Sequence, residues 1–414
     1  MTGSTPGTVE HTPVAIVGGG PAGLLLSHLL HTSGIEHVVL ESRTRDEIYR
    51  TTRAGILEAS SVSTLVDAGL DRVLREGDRH DGIALRFDGE SHRIDLHGLT
   101  GRAVWLYPQT EVFTDLADRR AADGGDVRWQ AEVTEVLDLG TDHPGVRWTD
   151  AGGAAGGTER ELRCDVLVGA DGSHSTCRHT LPESLRRHYV HEYPYAWFGV
   201  IVEAPRSAPE LVYTASEHGF ALISQRTETH QRLYFQCDPD EDPSGWDDER
   251  IWGELQRRVA GGDGFRLVEG PVEERSVLRF RSSVVEPVRH GRMLLAGDAA
   301  HTVPPTGAKG LNLALADVVV LHDVLTTWFA RGGNGRADDD LLDEYGRRVS
   351  ERVWRAQHFS AWMSRMLHSH PAESGFEARR RVAELRTLVD SEAGRRFLAE
   401  GYTGWGPIIT EGAM

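Results

Sequence analysis

The sequence of 414 residues is poor in cysteine and almost without lysine. The spacing of its three cysteines, Cys164, Cys177 and Cys237, fits neither a CxxC redox pair nor a zinc ligand set, so no metal site is expected. Their odd number, with a polar start of the chain that lacks a basic segment, predicts a reducing compartment and therefore a cytoplasmic protein. The only lysine is Lys309, although Lys and Arg together number 45.

Long apolar runs and an excess of positive charge are also missing. The most apolar stretches are about 10 residues long, shorter than a transmembrane helix needs, so no membrane span is expected. A formal net charge of −18 argues against a nucleic-acid partner, which requires a basic patch. Attraction of an anionic substrate must then come from local charge. The remaining composition is ordinary for a globular protein, and the length predicts two or three domains.

The N-terminal region shows a strand, a glycine turn, an apolar helical stretch and a second strand that ends at Glu41. Its glycines Gly18, Gly20 and Gly23 have the spacing G-x-G-x-x-G. The first glycine permits a tight turn, the second lets the backbone approach a pyrophosphate, and the third lets helix and strand pack closely. An acid about 20 residues further on can bind ribose hydroxyls. Alone the glycines could form a structural turn; in this context they predict a dinucleotide-binding unit.

Two later segments each place an acid and a glycine-rich loop after an apolar strand. The first is Ala170-Asp171-Gly172. The second runs from Gly297-Asp298 through a loop rich in proline and glycine to a helix that starts near Asn312. Such loops can present backbone N–H groups to an anionic ring system. Each alone is an ordinary turn, but in this order they favour FAD over NAD as the bound nucleotide.

With these segments the chain resembles the group A FAD-dependent aromatic hydroxylases, of the para-hydroxybenzoate hydroxylase type. The resemblance extends over nearly the whole chain, from Val14 to around Tyr402. It rests on GGGPAGL from Gly18, RAGILE from Arg53, YPQTEV from Tyr107, GADGSHS from Gly169, GFALISQR from Gly219 and GDAAHTVPPTGAKGLNLA from Gly297.

The resemblance implies a set of residues for FAD and for a nicotinamide nucleotide. The implied FAD residues are Gly18, Gly20, Gly23, Glu41, Arg53, Ile56, Gln109, Asp171, Asp298, Gly307, Leu311 and Asn312. Those implied for NADH or NADPH are Arg43, His174 and Arg281. Relatives that use NADPH carry a tyrosine where Glu47 stands and an arginine where Thr51 stands. Because an acid would repel the 2′-phosphate, we expect NADH use or loose selectivity, although Arg43 and Arg45 could compensate.

The substrate carboxylate needs a fixed cation. Arg226 can supply a bidentate guanidinium, and Ser224 lies two residues away on the same strand face. An arginine in a strand usually lies on a solvated face, but the match of the whole GFALISQR segment favours a carboxylate anchor. The resemblance adds Tyr234 to this anchor and implies that Trp197 and Leu211 line the pocket.

The other end of the substrate must lose a proton, because a phenolate attacks an electrophilic oxygen far better than a phenol does. The resemblance implies that Tyr213 accepts or relays this proton, Tyr402 continues the chain and His80 passes it to solvent. A histidine suits that step because it titrates near neutrality. Pro305 would place its carbonyl beside the substrate hydroxyl. Without the resemblance, each tyrosine would be read as a packed core residue.

The predicted fold class is α/β: a Rossmann-like FAD-binding domain, an inserted, mostly-β substrate domain and a helical C-terminal region. The expected boundaries are 1–180 with a β-hairpin near 82–99, then 181–285, a return to the first domain at 286–340, and 341–414. By analogy with relatives, the helical region would cover the active site and could form the face of a homodimer.

The resulting hypothesis is an enzyme that hydroxylates 4-hydroxybenzoate to 3,4-dihydroxybenzoate with NAD(P)H and O₂. The alternative is a hydroxylase of another para-substituted benzoate, such as 4-aminobenzoate or 3-amino-4-hydroxybenzoate. The absence of a CxxC pair argues against a flavin disulfide reductase. The presence of Arg226, Tyr213 and Tyr402 together argues against a non-catalytic flavin-binding protein.

Overall fold

The computed structural model describes residues 9–51, 55–150, 158–333 and 336–405. Within these residues the strands are β1 (Glu10–Val17), β2 (His37–Glu41), β3 (Ile56–Glu58), β4 (Asp78–His80), β5 (Gly82–Phe87), β6 (Glu90–Asp95), β7 (Val104–Leu106), β8 (Val127–Trp129), β9 (Ala131–Leu137), β10 (Gly145–Asp150), β11 (Thr158–Gly169), β12 (Arg187–Glu203), β13 (Leu211–Ser216), β14 (Gly219–Gln225), β15 (His230–Cys237), β16 (Val272–Glu286), β17 (Arg289–His290), β18 (Met293–Leu295) and β19 (His301–Thr302).

The helices alternate with these strands, which confirms the predicted α/β class. They are α1 (Pro21–Thr32), α2 (Arg45–Tyr49), α3 (Ala59–Asp67), α4 (Arg72–Glu76), α5 (Leu96–Thr100), α6 (Gln109–Ala122), α7 (Thr176–His179), α8 (Asp248–Val259), α9 (Gly310–Ala330), α10 (Arg336–Leu367), α11 (Gly375–Asp390) and α12 (Glu392–Thr403). Short 3₁₀ turns lie at Pro243–Gly245, Gly297–Ala299 and Pro305–Gly307.

The first sheet has the order β17-β18-β11-β1-β2-β8, and β1 pairs in parallel with both β2 and β11. The second half of its strand β1, from Val14 to Val17, is apolar and buried, as parallel strands under helices require. The register places Val17 beside Gly169 and Gly169 beside Leu295. The strands β1, β11 and β18 therefore end at one edge, where ligands bind in open α/β sheets. The three predicted nucleotide loops follow these strand ends.

The second sheet has the order β19-β16-β12-β15-β14-β13-β5-β6 and is mostly antiparallel. Its side chains alternate between two apolar clusters, because successive residues of a strand point to opposite faces. One face packs under α8, and its cluster includes Phe198, Val212 and Phe235. The other face packs under α10, α11 and α12, and its cluster includes Trp197, Tyr213 and Tyr234.

The hairpin predicted near 82–99 is present as β5 and β6, but it does not belong to the first sheet. Strand β5 pairs in parallel with β13, from Leu211 opposite Ile83 to Ala215 opposite Phe87. The hairpin therefore extends the substrate sheet, and its last predicted residues form α5 instead of a strand. Assignment to the first domain was wrong because chain order does not determine which sheet a hairpin joins.

The remaining domain boundaries stay predictions. The inserted strands run from Arg187 in β12 to Glu286 in β16, and β18 returns to the first sheet. Helix α10 begins at Arg336, somewhat before the expected start of the helical region at 341. A small third sheet has the order β3-β7-β4, and in the chain its strands lie between β2 and β8 of the first sheet.

Helix α9 departs from the expectation that apolar stretches are short. By length and composition it could cross a membrane, and half of its most apolar stretch is buried inside the protein. It packs against α1 and α10, and its buried residues include Leu321 and Trp328. A core helix passes the same test of length and composition, so this helix is accounted for by packing on the first sheet.

Candidate active site

The glycine turn after β1 combines two tight positions with one open position. Gly18 has φ of +108°, and a Cβ there would lie 2.2 Å from the carbonyl oxygen of Ala170. A Cβ at Gly23 would lie 1.9 Å from the carbonyl oxygen of Gly18, but a Cβ at Gly20 would meet no described atom within 4 Å. Two glycines thus let the elements pack, and the third leaves space beside the backbone for a ligand.

The start of α1 and the end of β2 frame that space. Gly20 is the N-cap of α1 and makes no side-chain capping hydrogen bond, which leaves the first N–H groups of the helix for a phosphate. The Glu41 carboxylate is only 4% exposed and accepts the Gly19 N–H at 2.7 Å. It also accepts hydrogen bonds from the backbone N–H and Nε of Arg43, at 3.0 and 3.2 Å.

Arg178 fastens the two acidic loops to each other, a role that the sequence reasoning missed. Its Nη1 donates to the carbonyl oxygens of Asp298 at 3.3 Å and Ala299 at 3.0 Å, and its Nη2 donates to that of Ser173. Asp171 accepts the Cys177 N–H through Oδ2 at 3.1 Å. Its Oδ1 is buried and has no hydrogen-bond partner within the described residues. The only sequence signal for Arg178 was its place shortly after GADGSHS.

A buried Asp317–His301 pair holds the loop that carries Asp298. The Asp317 Oδ2 accepts the Gly297 N–H at 3.0 Å and lies 2.6 Å from Nε2 of His301. Gly297 has φ of +60°, which an L side chain rarely adopts. Burial works to lower the pKa of His301, but the charge and hydrogen bond of Asp317 outweigh burial and raise it above the ordinary value. A glycine and an ion pair together set this turn.

The single lysine lies at the centre of a buried network. Lys309 is 2% exposed, and its Nζ donates to Oε1 of Glu58 at 2.5 Å and to the carbonyl oxygen of Tyr402 at 3.1 Å. Burial lowers its pKa, and Glu58 opposes that effect. The Asn312 side chain binds the same strand β3, accepting the Glu58 N–H at 2.9 Å and donating to the Ile56 carbonyl at 2.8 Å.

This network joins the loop before α9, strand β3 and the end of α12. It thereby positions Tyr402, whose carbonyl accepts the Lys309 ammonium. The sequence reasoning noted Lys309 as the only lysine but gave it no partner. Glu58 was within the quoted segment RAGILE, yet no spacing rule connects a residue of β3 with one some 250 positions later.

The predicted substrate residues share one face of the second sheet. The register aligns Tyr213 with Leu222, Leu222 with Tyr234 and Tyr234 with Gly199. Leu211, Ser224 and Trp197 each lie two positions from a member of this row, so they point to the same side. This is the face that α10 and α12 cover.

Arg226 follows β14 directly and is half-buried. Its guanidinium makes no hydrogen bond or ion pair with any residue that the structure describes; only its backbone N–H bonds, to the His230 carbonyl at 2.9 Å. Burial lowers its pKa, and the neighbouring cation of Arg232 lowers it further. The negative charges of Glu274 and Glu111 act in the opposite sense, but neither carboxylate hydrogen-bonds to Arg226 or forms an ion pair with it. A half-buried guanidinium whose donors are free of described partners is a site at which an anion would be stabilised.

The polar groups of Ser224 and Trp197 have protein partners. The Ser224 hydroxyl donates to the Arg232 carbonyl at 2.8 Å. The Trp197 Nε1–H donates to Nε2 of His368 at 2.6 Å, and its ring lies 4.8 Å from that of Tyr234. Ser224 keeps acceptor capacity for a ligand, and Trp197 offers an apolar ring.

His368 is a buried residue that the sequence reasoning did not single out. Its Nδ1 lies 2.8 Å from the Ser364 carbonyl, and its ring stacks on Tyr195 and Phe220 with centroids 4.6 and 4.3 Å away. Burial lowers its pKa to about 3, so the ring is neutral. No spacing signal could have separated this histidine, near the end of α10, from its exposed neighbours in the sequence.

Tyr213 and Tyr402 form a direct hydrogen bond of 2.7 Å between their hydroxyls. Both are fully buried, and burial raises the pKa of each well above the ordinary tyrosine value. Both are therefore neutral phenols that can accept and donate a proton in one movement. Pro305 opens a 3₁₀ turn, and its carbonyl accepts the Ala308 N–H at 2.9 Å.

His80 does not hydrogen-bond to either tyrosine. It is 2% exposed, its Nδ1 accepts the Leu211 N–H at 3.2 Å, and its Nε2 lies 3.1 Å from Oδ2 of Asp78. Asp78 in turn accepts from the exposed Arg206 at 2.9 Å. The structure thus brings together two members of the predicted relay, and the third faces Asp78. The role of His80 stays a prediction.

The comparisons with known proteins agree with this geometry. The family model described as FAD binding domain matches residues 11–360. The chain is 41% identical over 395 residues to the p-hydroxybenzoate hydroxylase of Acinetobacter baylyi, and the match covers 95% of each. The chain belongs to the family of FAD-dependent aromatic hydroxylases. It is therefore a flavoprotein monooxygenase.

More distant hydroxylases share most of the chain. The 6-methylpretetramide 4-monooxygenase of Streptomyces rimosus is 29% identical, over 89% of this chain and 88% of its own. Among solved structures, p-nitrophenol 4-monooxygenase from Pseudomonas putida superposes with a TM-score of 0.78 at 21% identity, covering 96% of this chain and 100% of that one. That likeness shows the shared fold.

Two observations support a fit between the residues at this sheet edge and FAD. No described atom lies within 4 Å of the position that a Cβ of Gly20 would take, which leaves space for a pyrophosphate. The Oδ1 of Asp171 is buried, has no hydrogen-bond partner among the described residues and can accept a hydrogen bond from a bound cofactor. Gln109 is the first residue of α6, Leu311 is the second residue of α9 and Gly307 ends a 3₁₀ turn; Leu311 and Gln109 are only half-buried. Arg53 lies outside the described residues. The roles of the individual residues toward the cofactor stay predictions.

The residues predicted for the nicotinamide nucleotide lie at the surface of the hydroxylase. His174 and Arg281 are exposed, as is Arg43, whose Nε is already engaged by Glu41 at 3.2 Å. Burial lowers the pKa of His188, and Arg178 and Arg281 lower it further, which indicates a local concentration of positive charge. Such a patch would attract a dinucleotide despite the acidic net charge.

Proposed function

We propose that this hydroxylase converts 4-hydroxybenzoate to 3,4-dihydroxybenzoate with O₂ and a nicotinamide nucleotide. The observation that carries the proposal is the arrangement at one sheet face of a half-buried cation, Arg226, whose guanidinium has no hydrogen bond or ion pair with a described residue, and a buried phenol pair, Tyr213 and Tyr402. These groups are complementary to the two ends of a para-hydroxylated benzoate. The 41% identity to p-hydroxybenzoate hydroxylase of Acinetobacter baylyi supports the same substrate.

The carboxylate would bind at Arg226, with Ser224 and Tyr234 as further partners. A carboxylate placed there accepts charge-assisted hydrogen bonds, which are stronger than neutral ones, and it offsets the repulsion between Arg226 and Arg232. Tyr234 is fully buried, and burial raises its pKa, so it offers a neutral O–H to the carboxylate. The binding energy at this end orients the ring for reaction at the other.

The hydroxyl of the substrate would face Tyr213. As the ring attacks the electrophilic oxygen, its phenol proton can pass to the Tyr213 oxygen while Tyr213 passes its own proton across the 2.7 Å bond to Tyr402. The Lys309 Nζ, which donates to the Tyr402 carbonyl at 3.1 Å, holds the backbone of Tyr402 in place for this transfer. Bound FAD supplies the reducing equivalents and the activation of O₂; the protein supplies orientation, proton movement and exclusion of water.

Exclusion of water follows from the helical cover. Phe359 and Met363 of α10 and Leu398 of α12 are buried over the substrate face. Trp197, Phe220 and His368 form stacked rings beneath them. A closed apolar pocket keeps bulk water out, so the activated oxygen is less readily lost to side reactions with water. The exclusion of water also strengthens each charge interaction inside the pocket.

For the electron donor we infer NADH, or loose selectivity between NADH and NADPH. Glu47 is fixed by a capping box, with its carboxylate accepting the Thr44 N–H at 2.7 Å. The two arginines that could offset it are engaged: Arg43 by Glu41 at 3.2 Å and Arg45 by Asp118 at 2.5 Å. A 2′-phosphate would meet a carboxylate at this position, and like charges repel.

The test is oxidation of NADH and of NADPH by the purified holoenzyme, with and without 4-hydroxybenzoate, with the product identified by mass. Strong stimulation with 3,4-dihydroxybenzoate as product supports substrate and reaction together. Stimulation that yields only H₂O₂ would replace the substrate by another para-substituted acid. The panel therefore includes 4-aminobenzoate and 3-amino-4-hydroxybenzoate, whose amino groups could also donate to Tyr213. No stimulation by any of them would overturn the proposal.

We also propose a cytoplasmic protein that assembles as a homodimer. The three cysteines are free, as a reducing compartment requires. Light scattering of the purified protein measures the assembly, and a monomer at working concentration would contradict it.

A further inference from the structure

Two histidines and an aspartate from three separate segments meet on the first sheet. His11 lies near the start of β1, Asp165 lies within β11, and His143 lies in the turn between β9 and β10. Nε2 of His11 and Nδ1 of His143 both approach Oδ1 of Asp165, at 3.2 and 3.3 Å. The three ligand atoms lie within 4.8 Å of one another. The histidine side chains are 50% and 65% exposed, so solvent reaches the cluster.

The spacing of these atoms matches the coordination sphere of a small transition metal ion. Zinc binds imidazole nitrogen and carboxylate oxygen at about 2.0–2.2 Å, which puts neighbouring ligands of a tetrahedral site about 3.3 Å apart. The two measured distances to Asp165 are within a tenth of an ångström of that edge. Two imidazoles and one carboxylate, with an open position for water, form a common donor set for such ions.

The two histidines are the ion-pair partners of Asp165 among the described residues. The nearest arginine in the same strand, Arg163, is engaged by Glu161 at 2.6 Å and by Asp138 at 2.5 Å. The acidic net charge of −18 also favours uptake of a cation over binding of an anion.

A second cluster shows what an ordinary histidine–acid contact looks like in this protein. His28 and His31 approach Asp123 at 3.7 and 3.9 Å, and Arg119 and Arg120 contact the same carboxylate. That carboxylate is compensated by arginine, and its distances exceed the tetrahedral edge. It supplies a matched control.

We propose that His11, His143 and Asp165 bind one divalent transition metal ion, of which Zn²⁺ is the probe of choice. The site lies roughly 23 Å from the glycine turn, since Gly18 comes seven positions after His11 along an extended strand. Its function is structural: the ion links the first strand to the β9–β10 turn and stabilises the folded state by binding it preferentially.

The test is calorimetric titration of Zn²⁺ into untagged holoenzyme that has been stripped with a chelator. We expect one ion per chain, an affinity at least tenfold weaker in His143→Ala, and unchanged binding in the control His31→Ala. His143 is an exposed turn residue, so its replacement should leave the fold intact. Zn²⁺ should raise the Tm of the unmodified protein and of His31→Ala but not that of His143→Ala.

Two results would overturn the proposal: no stoichiometric binding to the unmodified protein, or equal binding by His143→Ala. A gain in Tm that persists in His143→Ala would assign the ion to another site. The outcome is independent of hydroxylation, because none of the three residues contacts the substrate face.

Discussion

The two large sheets of this protein form their halves of the active site by different means. The first, parallel sheet places loops and a helix N-terminus at one edge, so backbone groups and glycines do the binding. The second, mostly antiparallel sheet presents a row of side chains on one face, so the alternation of its strands decides which residues meet. Binding at the first sheet depends on glycines, which lack a Cβ and let the backbone approach a ligand. Binding at the second sheet depends on particular side chains.

This difference explains why one half of the active site is easier to predict from the sequence than the other. A backbone site needs glycines at fixed local spacing and leaves a motif. A side-chain site needs residues from several strands and leaves almost none. Variants at each half should therefore fail in different ways.

The largest effect is expected at the glycine turn. Gly18→Ala places a Cβ 2.2 Å from a carbonyl oxygen at a φ of +108°, so the folded state should be destabilised and the protein should lose FAD. Gly20→Ala should fold, because its Cβ meets no described atom within 4 Å, yet bind FAD far more weakly. Flavin absorbance per chain and thermal unfolding measure the two effects. If Gly20→Ala retained full FAD, the open space would not be the pyrophosphate site.

Arg226→Ala should remove the substrate anchor and leave the first sheet untouched. Removing one partner of a desolvated charge pair costs about 2–5 kcal/mol, so affinity for 4-hydroxybenzoate should fall on the order of 100-fold or more. FAD content should stay normal. The control Arg279→Ala removes an exposed arginine of the same sheet and should change neither quantity. Substrate titration by flavin fluorescence measures the affinity, and an unchanged value would refute the carboxylate assignment.

Tyr213→Phe should separate binding from chemistry. Loss of the proton acceptor should slow hydroxylation on the order of 100-fold, with a much smaller change in substrate affinity. The control Tyr345→Phe removes a buried hydroxyl that donates to the Leu295 carbonyl at 2.7 Å in the first sheet. It should cost about 1 kcal/mol of stability and spare the rate. Single-turnover product formation distinguishes them; equal slowing in both variants would mean a packing effect.

His368 should make the protein less stable in acid. Its pKa is about 3 in the folded state, whereas in the unfolded chain it titrates near its ordinary value of 6.5. Between these values only the unfolded state binds the proton, so stability falls as pH falls, by up to about 1.4 kcal/mol per pH unit. His368→Gln keeps an acceptor for Trp197 and should reduce this slope. Urea unfolding at several pH values tests it, with the exposed His97→Gln as control; parallel slopes would contradict the assignment.

The smallest effect is expected at Glu47. Glu47→Gln removes the acid that would face a 2′-phosphate, so the ratio of NADPH to NADH use should rise by about twofold to fivefold, as for a screened surface charge. Glu36→Gln, an exposed acid at the start of β2, should leave the ratio unchanged. Steady-state rates with each nucleotide measure it. A strong preference of the unmodified enzyme for NADPH would end this interpretation.

Much of the fold could be predicted from local patterns. The glycine turn, the strands around Val14 and Val166, and the helices of the C-terminal region have periodicities that neighbouring residues alone establish. The hairpin near Gly82 was also found, but its place beside β13 was not, because pairing with a strand 130 residues later leaves no local mark. For the same reason, the sequence could not predict the contacts of Lys309 with Glu58, of His301 with Asp317 and of His368 with Trp197.

The sequence by itself determined the class of protein: a dinucleotide motif and two acidic loops in order favour FAD, and the resemblance carried by the quoted segments indicates a flavin-dependent aromatic hydroxylase. Only the tertiary structure decided which groups act together. It joined Tyr213 to Tyr402, left Arg226 without a partner among the described residues, and turned His80 toward Asp78. The physical reason is that covalent spacing fixes backbone turns, whereas contacts between distant side chains follow from strand register and helix packing.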